Sequence, residues 1–397
     1  MKYCFIMEPS YATFDAWKPI LINLKKSNKR LICLFPHYKS LNALKSRDSR
    51  SIMNHIFDEL IYFNGISLQF IDLNHWHVKI LYFKIIDIIT RLFIKAIKHS
   101  TSDAFIKSPT HKFGLNQSII LMDAHYLIRK TLRLFVSHIN YNQIYSLSHG
   151  MSVKIPYHGV DLSEMNVTFF AYSKREIHLF QSAHNIFKEK IIVTGIPRHD
   201  NSAHNKKLFN YSLDNGVIYI ISRPYNKDYF TKNEKKSALI DIKKFAKSHN
   251  KKILIKLHPK GESRLDFFNI FGISGFSKHW NFCENPSHNS VNISLAISLK
   301  DSSVNKDMVS MGIPVIIYQK ISVYNKWISN IFNYESYFSK QFLDEIKPLY
   351  MIIYNLNELE KTYSHIDNLR KKQLRAYRVY YADPKKSVEK ITARILQ

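Results

Sequence analysis

Cysteine is scarce in this chain of 397 residues. Cys4, Cys33 and Cys283 stand at no spacing that suits a disulfide framework or a metal site, which fits a reducing cytosol. Glycine and proline are also few, at 10 and 12, so a linker-dominated or low-complexity chain is excluded. Acidic residues are outnumbered, with 31 Asp and Glu against 58 Lys and Arg. No run of about 18 uncharged apolar residues occurs, so no transmembrane helix is expected. The apolar run at residues 2–7 is short and is followed at once by Glu8, Pro9 and Asp15, which does not read as a secretory signal.

What is present is a large apolar fraction and an excess of positive charge. The chain is 45% hydrophobic with 26 Phe and 24 Tyr, enough for two domains with cores of their own. Its net charge of +27 favours anionic partners: nucleic acid, anionic lipid or phosphorylated substrates. No nucleic-acid-binding module is recognisable, and no compact Lys/Arg cluster is interleaved with aromatics. A nucleic-acid partner is therefore not expected.

Apolar runs and helical patterns alternate along the chain. Residues 3–7 and 30–35 read as buried strands around a helix at 17–26, a βαβ opening. A helix is expected at 51–60 and a third strand at 67–73. Residues 76–99 form a long helix candidate whose polar positions Lys84, Asp87, Arg91, Lys95 and Lys98 recur at steps of three and four. It reads either as a core helix packed on the sheet or as a helix lying in the plane of a membrane surface. Residues 120–139 share that character, with Arg129, Lys130 and Arg133 on a polar side. Strands follow at 143–147, 166–172 and 190–194, and a polar linker without hydrophobic periodicity at 201–215. The second half restarts with strands at 217–222, 252–257 and 291–298, a basic amphipathic helix at 233–249, and a terminal helix at 371–396 broken near Asp383 and Pro384. Two doubly wound α/β domains are the expected class.

In open parallel sheets, ligands bind beyond the carboxyl ends of the strands. Five polar clusters stand there: His149-Gly150, Arg198-His199-Asp200, Ser222-Arg223, His258-Pro259 and Asp301-Ser302-Ser303. Histidine is a natural general base near neutral pH, and arginine offers phosphate a bidentate fork. Gly150 permits close backbone approach. Asp301, Ser302 and Ser303 are all good N-cap residues for a short helix over 304–311, closed by Gly312 and Pro314. A hydroxyl-rich turn at a helix N-terminus is a ready phosphate site.

The ordered segments SHG, VTGIPRHD, IKLHP and DSSVNKDMVSMGIPVIIY resemble the CDP-glycerol glycerophosphotransferase family of teichoic-acid polymerases and primases. The resemblance covers residues 145 to the C-terminus. It implies an α/β fold of the GT-B type, two Rossmann-like domains facing a cleft, with the C-terminal helix crossing back to the first. The implied boundaries are 1–204 on the acceptor side, 205–370 for the nucleotide donor and 371–397 for the crossing helix. It further implies a transferase without metal or other cofactor, using a cytidine-activated donor and a glycan or lipid-linked acceptor. The implied location is the inner face of a bacterial cytoplasmic membrane, peripherally attached to its anionic surface.

Carried over by position, the resemblance makes His149 the base on the acceptor hydroxyl. It gives Arg198, Ser222, Arg223, His258, Asp301, Ser302 and Ser303 to the donor phosphates, with His258 also catalytic. Gly150, Lys154 and Asp200 complete the expected cleft. The sequence departs from the family where Lys300-Asp301-Ser302-Ser303 replaces Asp-Tyr-Ser-Ser, and where Ser222-Arg223-Pro224 replaces a Trp-Arg-Asp-like segment. These departures keep a second reading open: a glycosyltransferase that uses a nucleotide sugar, notably a CMP-activated acidic keto-sugar, in capsule or lipopolysaccharide synthesis.

Overall fold

The structure is a computed structural model. It describes residues 1–7, 11–36, 40–41, 44, 47–63, 68–72, 81–86, 88, 115, 117–123, 141–148, 162–174, 176–177, 180–181, 185–200, 209–224, 231–258, 262–283, 291–299, 302–318, 347–381 and 386–397. The chain divides into two compact units. The first comprises Met1–Met151, Ile155–Asp200 and Ala382–Gln397; the second comprises Ser152–Lys154 and Asn201–Tyr381.

The first unit carries strands β1 (Lys2–Ile6), β2 (Arg30–Phe35), β3 (Glu59–Phe63), β4 (Leu68–Phe70), β5 (Ile119–Met122), β6 (Gln143–Leu147), β7 (Val167–Ala171) and β8 (Ile191–Val193). They form one sheet in the order β4-β3-β2-β1-β5-β6-β7-β8. All neighbours are parallel except β3 and β4. Helix α1 (Tyr11–Lys26) links β1 to β2, and α2 (Arg47–Ile56) precedes β3.

Both faces of this sheet are covered, which is why its strands read as unbroken apolar runs rather than alternating ones. One face joins Cys4, Ile6, Ile32, Leu34, Ile120, Met122 and Phe169 in a single core. On α1, Trp17 meets Phe5 and Phe170, and Phe14 meets Phe5 and Phe57.

The second unit repeats the pattern with β9 (Phe209–Tyr211), β10 (Val217–Ile221), β11 (Ile253–Lys256), β12 (Trp280–Phe282), β13 (Val291–Ser298), β14 (Val315–Tyr318) and β15 (Ile352–Ile353). The sheet runs β12-β11-β10-β13-β14-β15, with β9 beside β13, and every pairing is parallel. Taken in their own sequence, the six strands from β10 onward follow the doubly wound order 3-2-1-4-5-6, which reverses between β10 and β13.

A short helix, α3 (Pro197–Asp200) in the first unit, and a 17-residue helix, α4 (Lys232–Ser248) in the second, are followed by α5 (Arg264–Phe271), α6 (Ser303–Ser310), α7 (Leu356–Tyr363), α8 (Ile366–Tyr380) and α9 (Ser387–Leu396). Of the pair just named, α4 is the longer, and a capping box starts it: Thr231 Oγ1 accepts from Glu234 N, and Thr231 N donates to Glu234 Oε2. The apolar stripe of α4, Ala238, Leu239, Ile242 and Phe245, shares a core with Ile218, Ile220, Ile253, Ile255 and α5's Phe267 and Phe271. Gly312 closes α6 at φ +78°, in the left-handed region that glycine tolerates.

The expected terminal helix is two helices. The first, α8, belongs to the second unit, while α9 returns to the first and packs on α1 and α3. There Tyr145 OH donates to Arg394 O at 3.1 Å.

Several sequence expectations are corrected. Residues 119–122 form strand β5 inside the first sheet, not the start of a helix over 120–139; a four-residue apolar run buried on both faces has no period to reveal it. The remainder of that stretch after residue 123 lies outside the described residues. The helix expected at 51–60 ends at Ile56, and Glu59–Phe63 is the true third strand. Residues 68–70 form a fourth strand, antiparallel at the edge. The stretch read as linker contains β9, whose backbone pairs with β13.

Of the long candidate at 76–99, residues 81–86 and 88 are helical and described. Phe83 is buried against Tyr62, but Leu81, Tyr82, Ile85 and Ile88 are about half exposed. Among the described residues, no helix is long and apolar enough to cross a membrane.

Candidate functional site

The reversal of strand order in the second unit puts three strand ends side by side: β11, β10 and β13. Adjacent strands lie about 4.8 Å apart, so the residues that follow them share a small area. Ser222 and Arg223 follow β10, His258 follows β11, and Ser302 and Ser303 follow β13 at the start of α6. Leu299 N donates to Ile221 O at 3.2 Å, extending the β10–β13 pairing past the strands themselves.

Within this edge, a guanidinium nitrogen of Arg223, Nη1, stands 3.2 Å from His258 Nε2. Both side chains are partly exposed. Ser222 is buried, and its Oγ donates to Glu262 Oε1 at 2.6 Å. Glu262 Oε2 accepts from the backbone N–H of His258. The same carboxylate is ion-paired with Lys235 of α4, whose Nζ also donates to Arg223 O at 2.8 Å. Lys235 Nζ lies 4.9 Å from the centroid of Phe267, a cation–π contact that covers the ammonium with an aromatic face. The result is one connected network from the ends of two strands to the first turns of α4.

Ser302 is the N-cap of α6, and its Oγ accepts from Val304 N at 3.4 Å. The first turn of α6 therefore presents backbone N–H groups and partial positive charge at the same edge as Arg223. Such an edge can bind an anion through a fork, an imidazole and a helix N-terminus.

The sequence-derived residues divide among three places. Ser222, Arg223, His258, Ser302 and Ser303 gather at the carboxyl edge of the second sheet. Arg198 and Asp200 lie in the first unit on α3, after its edge strand β8. Asp200 Oδ2 accepts from Val388 N at 2.5 Å, so this carboxylate caps the first turn of α9. His149, Gly150, Lys154 and Asp301 lie outside the described residues.

Two residues of the network escaped the sequence reading. Glu262 stands four residues beyond His258 in the run His258-Pro259-Lys260-Gly261-Glu262, where nothing local marks a carboxylate as inward-facing. Lys235 did leave a signal. It precedes Ala238 and Leu239 by three and four residues, on the apolar stripe of α4, where a lysine needs a partner.

No known protein family matches the sequence of this chain, and no curated protein matches it either. Solved structures do resemble it. UDP-GlcNAc 2-epimerase from Neisseria meningitidis bound to UDP-GlcNAc aligns with a TM-score of 0.53 at 14% identity, over 100% of each chain. A variant of the wall teichoic acid polymerase TagF aligns with a TM-score of 0.53 at 15% identity, over 100% of this chain and 88% of the other. The UDP-GlcNAc 2-epimerase from Methanocaldococcus jannaschii gives a TM-score of 0.53 at 14% identity, over 100% of this chain and 99% of the other. At such identities the likeness is one of fold, and that fold is the GT-B type, built from two doubly wound α/β units.

Proposed function

We propose that this chain is a GT-B-type transferase that moves a polyol phosphate, glycerol phosphate or a close analogue, from a CDP-activated donor to a hydroxyl of a cell-surface glycan or lipid-linked acceptor. The observation that carries the reading is the gathering of Ser222, Arg223 and His258 beside the capped start of α6, where the second sheet reverses its strand order. Structural likeness to a teichoic acid polymerase supports it.

In this mechanism the acceptor oxygen attacks the phosphorus of the polyol phosphate. The bond between that phosphorus and the bridging oxygen breaks, and CMP leaves with the bridging oxygen and its electron pair. Arg223, His258 and the N–H groups of α6 stabilise charge that grows on the leaving phosphate. His149 takes the acceptor proton, and Arg198 serves the phosphates; both roles rest on the motif resemblance.

A second reading has support of its own. Epimerases of the same fold include one bound to UDP-GlcNAc. A nucleotide sugar, including a CMP-activated acidic keto-sugar, would use the same anion-binding groups while the bond at the anomeric carbon breaks. Attachment to an anionic membrane surface belongs to both readings. It is supported by the net charge of +27 and by exposed Leu81, Ile85 and Ile88 on a helical segment that also carries Lys84.

Calorimetric titration with CMP, CDP, UMP and UDP tests the donor assignment. Tighter binding of the cytidine nucleotides is expected, and a preference for uridine contradicts it. The His149→Ala variant should lose turnover while keeping donor affinity; retained turnover contradicts the base assignment.

A further inference from the structure

The Lys235–Glu262 pair is buried, with side chains 4% and 1% exposed. Desolvation of two charges offsets much of their attraction, and apolar replacement of a buried pair is often neutral or stabilising. Stability is thus a weak reason for its presence, and its hydrogen bonds point elsewhere. Glu262 Oε1 holds the Ser222 hydroxyl, and Oε2 holds the backbone N–H of His258. Lys235 Nζ holds the carbonyl of Arg223. Every one of the three candidate residues after β10 and β11 is therefore fastened to this one pair.

The consequence reaches the imidazole. A guanidinium donates and never accepts, so His258 Nε2, 3.2 Å from Arg223 Nη1, is the acceptor of that contact. The ring proton then resides on Nδ1, and Nδ1–H is the ring's donor. The backbone positions of Arg223 and His258 decide whether this contact forms, and the buried pair fixes both positions.

We infer that Lys235 and Glu262 are positioning residues that hold the loops after β10 and β11 in one register, so that Arg223 fixes His258 as the Nδ1–H tautomer, a preset hydrogen-bond donor to a phosphate oxygen. This inference rests on reading the carboxyl edge of the second sheet as the donor-phosphate site.

The test uses the full chain and two readouts. Nitrogen-15 histidine NMR reports the tautomer of His258, its signals assigned by their absence in His258→Gln. Calorimetry reports affinity for inorganic pyrophosphate and for CMP. Glu262→Gln leaves Lys235 without its counter-charge and can fail to fold, so the neutral pair Lys235→Met with Glu262→Gln carries the test at nearly conserved volume. The parent should show the Nδ1–H tautomer. The paired variant should melt near the parent temperature, show a mixture of tautomers, and bind pyrophosphate about tenfold more weakly or worse. A folded paired variant with parent-like tautomer and affinity overturns the inference. A paired variant that cannot fold also overturns it, in favour of a structural role. If the parent binds neither pyrophosphate nor CMP, the donor-site reading fails, while the tautomer readout still decides whether the pair sets the Arg223–His258 contact.

Discussion

Arg223 Nη1 and His258 Nε2 meet at 3.2 Å across the ends of two neighbouring parallel strands. The contact joins a permanent cation to an imidazole, and it depends on the planar fork of arginine. Arg223→Lys keeps the charge but not the fork. Titration with inorganic pyrophosphate should show that variant binding about tenfold more weakly. Unchanged affinity would remove Arg223 from the anion site.

Ser302 caps α6, and Ser303 opens its first turn. Replacing both by alanine removes the cap and two hydroxyl donors. The double variant should lose about 1 kcal/mol of stability, read from chemical denaturation, and should bind pyrophosphate more weakly. A loss of stability with unchanged affinity would mean that the turn is a plain helix start.

Gln373 on α8 completes the sheet where β15 has not yet begun. Its Oε1 accepts from Val315 N at 2.9 Å, and its Nε2 donates to Val315 O at 2.6 Å and to Pro348 O at 2.9 Å. Gln373 is 1% exposed, so no water replaces it. Gln373→Leu should cost about 2–3 kcal/mol, because buried backbone groups lose their partners. A denaturation midpoint equal to the parent's would contradict that account.

Burial pushes the Glu176 carboxyl up from 4.5 to about 7, against backbone hydrogen bonds from Tyr172 and Ser173 that lower it. The folded chain therefore holds a proton that the unfolded chain has released between those two values. The contribution of this group to stability is fully present below pH 4.5 and is lost as pH rises through about 7. Its slope is at most about 1.4 kcal/mol per pH unit. Glu176→Gln should flatten the pH dependence of stability over that window. An unchanged profile would show that Glu176 does not titrate there.

Much of the fold was legible because buried parallel strands announce themselves as apolar runs. Residues 143–147 and 291–298 coincide with β6 and β13. The strand Ile119–Met122 was not legible, since a short run bounded by a longer apolar stretch reads equally well as buried helix. Strand β9 was hidden for another reason: Phe209-Asn210-Tyr211 is polar at its centre and is held by backbone pairing with β13. In the candidate site, Ser222, Arg223 and His258 could be found because each follows a recognisable strand. Glu262 could not, because its role depends on a hydrogen bond from Ser222, which follows a different strand.

The central claim concerns which bond is broken in the donor. Mass spectrometry of the products decides it most directly. The purified chain would be given a lipid-linked glycan extract with CDP-glycerol, CDP-ribitol, CMP-sialic acid, CMP-Kdo or UDP-sugars in turn. The account predicts release of CMP together with an acceptor heavier by one polyol phosphate. An acceptor that gains a sugar and no phosphorus would contradict it.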